Sequence, residues 1–468
     1  MIALVIAGLL LGPITLVGAV YLWWHRPAWL LAIYLLLMPF HTLTFQVIRV
    51  ELGLSSGLTT LLQSWKDLLL LALVLRVVIL VLLSGRLRMA HAWVLPLLLL
   101  YLLTGVWGVI NSPALVAGLY GFRGTFEPLA LLVLALTLPI SLRWVRTLPA
   151  GLLGVGGIVA AFAIFQVFWL GYNFLWRYYA VDGRIANSFS FLGGAFQRAM
   201  GTFSSPNQFS LYLTFVVLLG LNLALRLPRW RWPTLALVGL LFSALLLTVS
   251  RSGWVACVVG IAFSGLIWRR KQVFALPLLL LILIAVPTGL ALGLDRHLFN
   301  TISLNDPSAA YRFDINRQNL ETVIANPLGV GLGVVGARAL NTRIVGADGQ
   351  LYATESYYFQ TAMELGVPGL LLFLVLLCSC AYVAYVNIFR LRDPLHRGLA
   401  VTAVAWVAAA MAHGLFIADF QELTVGSYLW LLLGLAMRLP VLENRALAGQ
   451  PTPVTPPLVD ALVAPAAD

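Results

Sequence analysis

Apolar runs of about twenty residues, separated by short polar connections, recur along the whole chain. They predict thirteen helices, near 2–24, 28–44, 66–83, 92–110, 119–140, 148–169, 208–225, 232–250, 253–268, 273–292, 356–389, 398–417 and 425–442. Such runs match the hydrocarbon thickness of a bilayer, where only helices and closed barrels satisfy their own backbone; runs this long specify helices. Residues 356–389 exceed one span and predict a tilted helix with a flanking surface turn.

Composition agrees with this pattern. Of 468 residues 61% are hydrophobic and 10% charged, with a mean hydropathy of +0.96. A soluble protein of this length needs a more polar surface, so the fold class is an all-α polytopic membrane bundle. Cys257, Cys378 and Cys380 lie inside apolar runs without metal or disulfide spacing, and are expected as small buried hydrophobes.

The net charge of +12 would suit a nucleic-acid binder, but its distribution argues otherwise. Connections alternate. One set, including Arg26, Arg86, Arg88, Arg143, Arg146, Arg226, Arg229, Arg231, Arg269, Arg270, Lys271, Arg390, Arg392, Arg397, Arg438 and Arg445, holds 16 basic residues against four acids. The other holds 12 basic and 13 acidic residues. Short basic loops stay in the cytoplasm, so topology accounts for the excess and no nucleic-acid partner is required. The N-terminus is then external and the C-terminus cytoplasmic. The first helix lacks a basic leading region and does not read as a cleaved signal. Residues 1–445 are expected as one transmembrane catalytic domain, followed by a disordered Pro- and Ala-rich tail over 446–468.

Two external connections, about 170–207 and 293–355, are far longer than the rest, and long loops on a scaffold of short ones carry function. The polar residues of that face include Arg198 before "GTFSSPNQF", Arg251 in "TVSRSGW", Arg312 and Arg317 before "NPLGVGLG", Glu355, Asp419 and Glu422. One such arginine alone reads as a snorkelling or ion-paired interfacial residue. Several guanidiniums around one vestibule suit an anion, because the guanidinium fork pairs with phosphate oxygens. A lipid-linked phosphate or pyrophosphate reaching the site from the outer leaflet fits.

Other signals are weaker. Gly331-x-Gly333-x-x-Gly336 has dinucleotide-motif spacing, but no strand precedes it; a loop folded back on the membrane surface is expected. Arg76 reads as snorkelling or paired in the bundle, His413 as a satisfied bundle histidine, and Glu364 as the partner of an arginine. Arg123 with Glu127, four residues on, is either an ion pair or part of the site. No His, Asp or Glu cluster has metal spacing. The aromatics of 168–179 form an interfacial belt.

In this order "GTFSSPNQFSLYL", "TVSRSGW", "NPLGVGLG" and "ESYYFQTAMELGVPGLLLFL" resemble the O-antigen ligase and O-antigen polymerase superfamily, over about residues 195–390. The resemblance implies a GT-C-type membrane glycosyltransferase, inverting, metal-independent and without cofactor. It implies a donor glycan on undecaprenyl pyrophosphate at the outer face of a bacterial inner membrane, and a chain-length regulator as partner. Arg251 and one of Arg312 and Arg317 match family arginines that hold the pyrophosphate, and Arg198 joins them as a candidate. Ligases of the family carry a catalytic histidine near the position of Glu355, yet no histidine occurs between His297 and His396. That departure favours a polymerase of lipid-linked repeat units, with Glu355 as candidate general base for the acceptor hydroxyl. For Glu355 the structural alternative is a helix-start carboxylate, with Thr354 or Ser356 as the cap. Tyr357, Tyr358 and Arg123 are candidate sugar or phosphate contacts. The rival readings are a ligase using lipid A–core or another acceptor, and a flippase or transporter of lipid-linked oligosaccharide.

Overall fold

The structure, a computed structural model, describes residues 18–85, 87, 89–180, 185, 189–191, 196–226, 228–269, 307–336, 339, 352–418, 420 and 422–448, with 191 and 307–313 by backbone alone. The expected helix 273–292, most of the helix 2–24, residues 293–306, 337–338 and 340–351 of the loop 293–355, Asp419 and the tail from 449 lie outside the described residues.

The first part of the chain forms α1 (Pro27–Leu37), α2 (His41–Glu51), α3 (Ser56–Gln63), α4 (Trp65–Ser84) and α5 (Val94–Ile110). Next come α6 (Leu115–Phe126), α7 (Leu129–Thr137), α8 (Leu142–Phe165) and α9 (Gly171–Tyr179). A two-stranded ribbon, β1 (Ser190–Phe191) and β2 (Phe196–Gln197), precedes α10 (Pro206–Ala224), α11 (Arg231–Leu247) and α12 (Arg251–Trp268). The last are α13 (Pro307–Ala325), α14 (Tyr357–Ile388), α15 (Pro394–Gly414) and α16 (Leu423–Leu447). Among the described residues nine helices, some spanning two of these elements, are long and apolar enough to cross a membrane, and the bent pair α6 and α7 makes a tenth. The chain is an all-α polytopic helical bundle.

Where the observed elements depart from the expected ones, backbone chemistry explains it. The expected span 119–140 is broken by 44° between α6 and α7, where Pro128 has no amide to donate. Pro39 lies in a 3-10 turn, Met38–Phe40, that separates α1 from α2. A π-helical turn, Gln166–Leu170, leads α8 into α9, so the start of the expected loop at 170 is helical. Cys378 is exposed on α14, whereas Cys257 and Cys380 are buried.

Helices α10 and α16 are buried along almost their whole length, the position of helices apolar on every side. Phe215 of α10 packs between Trp406 of α15 and Tyr428 of α16, with ring centroids 4.6 and 5.2 Å away. One end of the bundle gathers basic connections. There Arg146 bonds Asp393 at 2.9 Å, and Glu443 accepts from the Arg392 amide at 2.9 Å and meets His396 at 2.7 Å. Buried Arg438 donates to the Ala135 carbonyl at 2.9 Å, closing the end of α7. Arg76 reaches the Trp24 carbonyl at 3.4 Å, a pairing inside the bundle.

The glycine-rich segment after α13 is wedged among helix ends. The Leu332 amide donates to Gly108 O (2.9 Å), Asn111 to Gly329 O (2.7 Å) and Ser112 to Leu332 O (3.0 Å). Glu364, 2% exposed, accepts the Gly333 amide at 2.8 Å. Gly333 has φ +81°, and a Cβ there would collide with the Ala117 carbonyl. Gly366, at φ +75°, breaks α14 and opens the notch in which Pro327 and Leu328 sit.

Candidate functional site

Two helix starts converge at the other end of the bundle. Ser205 caps α10, accepting the Gln208 amide at 3.2 Å, and Pro206 follows with its fixed φ and no amide to leave unmet. Ser250 caps α12, accepting the Gly253 amide at 3.3 Å. A Cβ at Gly253 would collide with Ser210, so glycine there lets the two starts approach. Each helix start carries partial positive charge and outward amides, which favours an anion.

Arg198 sits on the loop before α10. Its Nε donates to Thr248 O at 2.8 Å and its guanidinium to Asn207 Oδ1 at 3.0 Å. The loop itself is pinned from three sides. Ala199 donates its amide to Leu247 O (2.9 Å), Gly201 to Gln166 Oε1 (3.0 Å), and Thr202 its hydroxyl to Pro39 O. Burial, and then the neighbouring Arg251 guanidinium, push the pKa of Arg198 down to about 10. Two cations are therefore held within electrostatic reach of each other, at a cost an anion between them would relieve.

Arg251 opens α12 with an exposed side chain. Two residues earlier Val249 has φ +46°, a left-handed conformation that a β-branched residue avoids. The turn between α11 and α12 is strained at the approach to Arg251, and such strain costs on the order of 1–3 kcal/mol.

A hydrogen-bonded chain runs behind the arginines. Ser250 gives its hydroxyl hydrogen to Asn207 Oδ1 at 3.0 Å, so the 3.2 Å contact between Ser250 and Ser252 takes its hydrogen from Ser252. The 3.2 Å contact between Ser252 and His413 then takes its hydrogen from His413 Nε2. His413, buried at the end of α15, thus anchors the network that presents Arg198 and Arg251. Its neighbour Gly414 accepts from the Ser356 hydroxyl at 3.3 Å. Arg251 and Glu355 are each one residue from a contact with the same helix end, and Glu355 is exposed there. Neither hydroxyl beside Glu355 caps α14: Ser356 takes Gly414, and Thr354 donates to Ser356 O at 3.4 Å.

The other predicted residues are placed differently. Arg317 pairs with Glu321 at 3.1 Å on an exposed face of α13, and no described contact joins it to Arg198 or Arg251. Arg312 lies about 140° around that helix from Arg317, on the face that carries buried Asn319. Tyr357 is 3% exposed, packed against Phe373 and Phe420 with ring centroids 5.2 and 4.8 Å away. Tyr358 donates to Met411 O at 2.8 Å. Arg123 is bound by Asp67 at 2.7 Å and Glu127 at 3.2 Å.

Residues 235–374 match the family model described as O-antigen ligase. The match takes in Arg251, Arg312, Arg317, Glu355 and Glu364 and supports a glycan-transfer role of the ligase or polymerase type. Arg198 and Asn207 lie before the matched stretch and His413 after it, so the hydrogen-bonded chain crosses both of its borders. No curated protein matches the chain.

Proposed function

We propose that this protein polymerises lipid-linked glycan repeats, moving a growing chain from undecaprenyl pyrophosphate onto the terminal hydroxyl of another lipid-linked unit. The observation that carries the reading is the convergence of two helix starts, one opened by Arg251 and the other preceded by the loop that holds Arg198. Guanidiniums and helix-start amides neutralise charge as it develops on a leaving pyrophosphate, so the departure needs no Mg²⁺. The acceptor oxygen attacks the anomeric carbon from the opposite face, the bond to pyrophosphate breaks, and Glu355 takes the hydroxyl proton. Configuration inverts. Arg312 is the α13 arginine suited to the site, because Arg317 already has Glu321. The vestibule faces the periplasm, with the end around Arg438 in the cytoplasm, following the charge asymmetry of the connections.

A ligase is the second reading, favoured by the description of the matching family. Purified protein in nanodiscs, given a lipid-linked repeat unit alone, is expected to yield a ladder of products in the presence of EDTA. Transfer that appears only when a separate acceptor is added would make it a ligase. Movement of the lipid across the bilayer without new glycosidic bonds would make it a transporter.

A further inference from the structure

A second polar cluster lies across the same end of the bundle, built from the first third of the chain. Arg123 donates to both oxygens of Asp67 at 2.7 Å and to Glu127 Oε2 at 3.2 Å. Lys66 is packed beside them, its side chain 10% exposed, and its described contact is a long one, 3.5 Å to Asp67. An ammonium has three hydrogens to give, so this buried Lys66 retains donor capacity. Glu127 Oε1 is buried and receives no hydrogen bond from a described donor. The Asp67 carboxylate shares the Arg123 guanidinium with Glu127. Glu127 Oε1 is thus left with the capacity to accept a further hydrogen.

Two chains of contacts lead from residues beside the cluster, one to the Arg198 loop and one to the start of α14. Trp65, next to Lys66, donates its indole hydrogen to His41 at 3.1 Å, and His41 follows the turn whose Pro39 carbonyl holds the Arg198 loop through Thr202. Pro128, next to Glu127, packs against Gly426 and so against the Phe420 turn that touches Tyr357. Two cations and two acids make the cluster formally neutral. It is unsuited to a second pyrophosphate, but an underused ammonium beside an underused carboxylate oxygen matches a sugar hydroxyl, which accepts from one and donates to the other. Partly exposed Trp65 adds an aromatic surface for the C–H face of a ring.

We infer that Lys66, Asp67, Arg123 and Glu127 form a glycan-binding subsite that takes neutral sugar hydroxyls of the acceptor repeat, an inference that rests on the glycan-transfer reading above. The probes are the glycan released by mild acid from the source cell's lipid-linked intermediates, and polyprenyl pyrophosphate bearing no sugar, each titrated against the full-length protein in nanodiscs. Wild type is expected to bind both. Glu127→Gln and Asp67→Asn are expected to weaken glycan binding about ten- to hundredfold and leave polyprenyl pyrophosphate binding unchanged, with Arg251→Ala doing the reverse. Glycan should also shield Asp67 and Glu127 of the wild-type protein from carbodiimide labelling, a measurement that needs no variant to fold. Full glycan affinity in folded Glu127→Gln and Asp67→Asn proteins, or labelling that glycan does not slow, overturns the subsite. Wild type that binds polyprenyl pyrophosphate and not glycan overturns the subsite alone. Wild type that binds neither overturns the transfer reading with it.

Discussion

The two polar clusters at one end of this bundle solve opposite electrostatic problems. In the first third of the chain, Lys66 and Arg123 are matched by Asp67 and Glu127 within 3.5 Å. In the later part, Arg198 is fixed by Asn207 and the Thr248 carbonyl, and the like-charged Arg251 opens the neighbouring helix start. A guanidinium near a second guanidinium is a different setting from one clamped between two carboxylates. Balanced charge suits a neutral polar ligand or a structural tie; like charges gathered at helix starts suit an anion. Counting arginines along the sequence does not separate the two cases, since Arg123 and Arg251 look alike until their neighbours are known.

Substitutions at six positions break or sharpen that contrast. Glu355→Gln has the largest expected effect, a loss of transfer on the order of 10²–10⁴-fold with donor binding retained. Equal activity of Glu355→Gln and wild type would move the base elsewhere, with Glu422 the next carboxylate to test. Arg251→Ala is expected to cost about 10²–10³-fold in turnover, with Lys a poor substitute because it lacks the fork. Were Arg123→Ala to weaken donor binding as much as Arg251→Ala, both clusters would hold pyrophosphate and the contrast would be gone. Arg312→Ala should slow transfer at least about tenfold and Arg317→Ala about twofold or less, since an exposed pair contributes little. Inverted ranking of those two would reverse the orientation assigned to α13. Val249→Gly should leave thermal stability nearly unchanged, because relief of about 1–3 kcal/mol of strain is offset by loss of a buried valine side chain, with a small fall in turnover as Arg251 loosens. Unchanged kinetics would mean that the strain does not serve Arg251.

Much of the bundle was legible in the sequence because apolar run length is a local property. The bounds of α4, α5, α10 and α12 differ from expectation by a residue or two. Helix α13 was not visible because its composition is too polar for a span, and α9 because its aromatics read as a belt. At the site, Arg198 and Arg251 could be picked out as charges placed where charge is expensive. His413 could not, because nothing local distinguishes it from a histidine buried for packing; its meaning comes from Ser252, 161 residues away. Asn207 and the serines of "SRSGW" gave a faint signal as helix-start residues. Tyr357 shows the opposite limit: its position in the motif suggested a ligand contact, and its ring went to the core. The glycine motif announced a backbone that needs room, but not which helix ends would surround it.

That glycine segment also sets a timetable for synthesis. Its bond from Ser112 joins residues 220 positions apart. At ordinary translation rates of about 5–20 residues per second, the end of α5 waits roughly 10–45 s in the membrane before Leu332 is made. Throughout that interval Asn111, Ser112 and the Gly108 carbonyl must be hydrated, so the newborn helix keeps this end at the water interface until the later chain arrives to cover it.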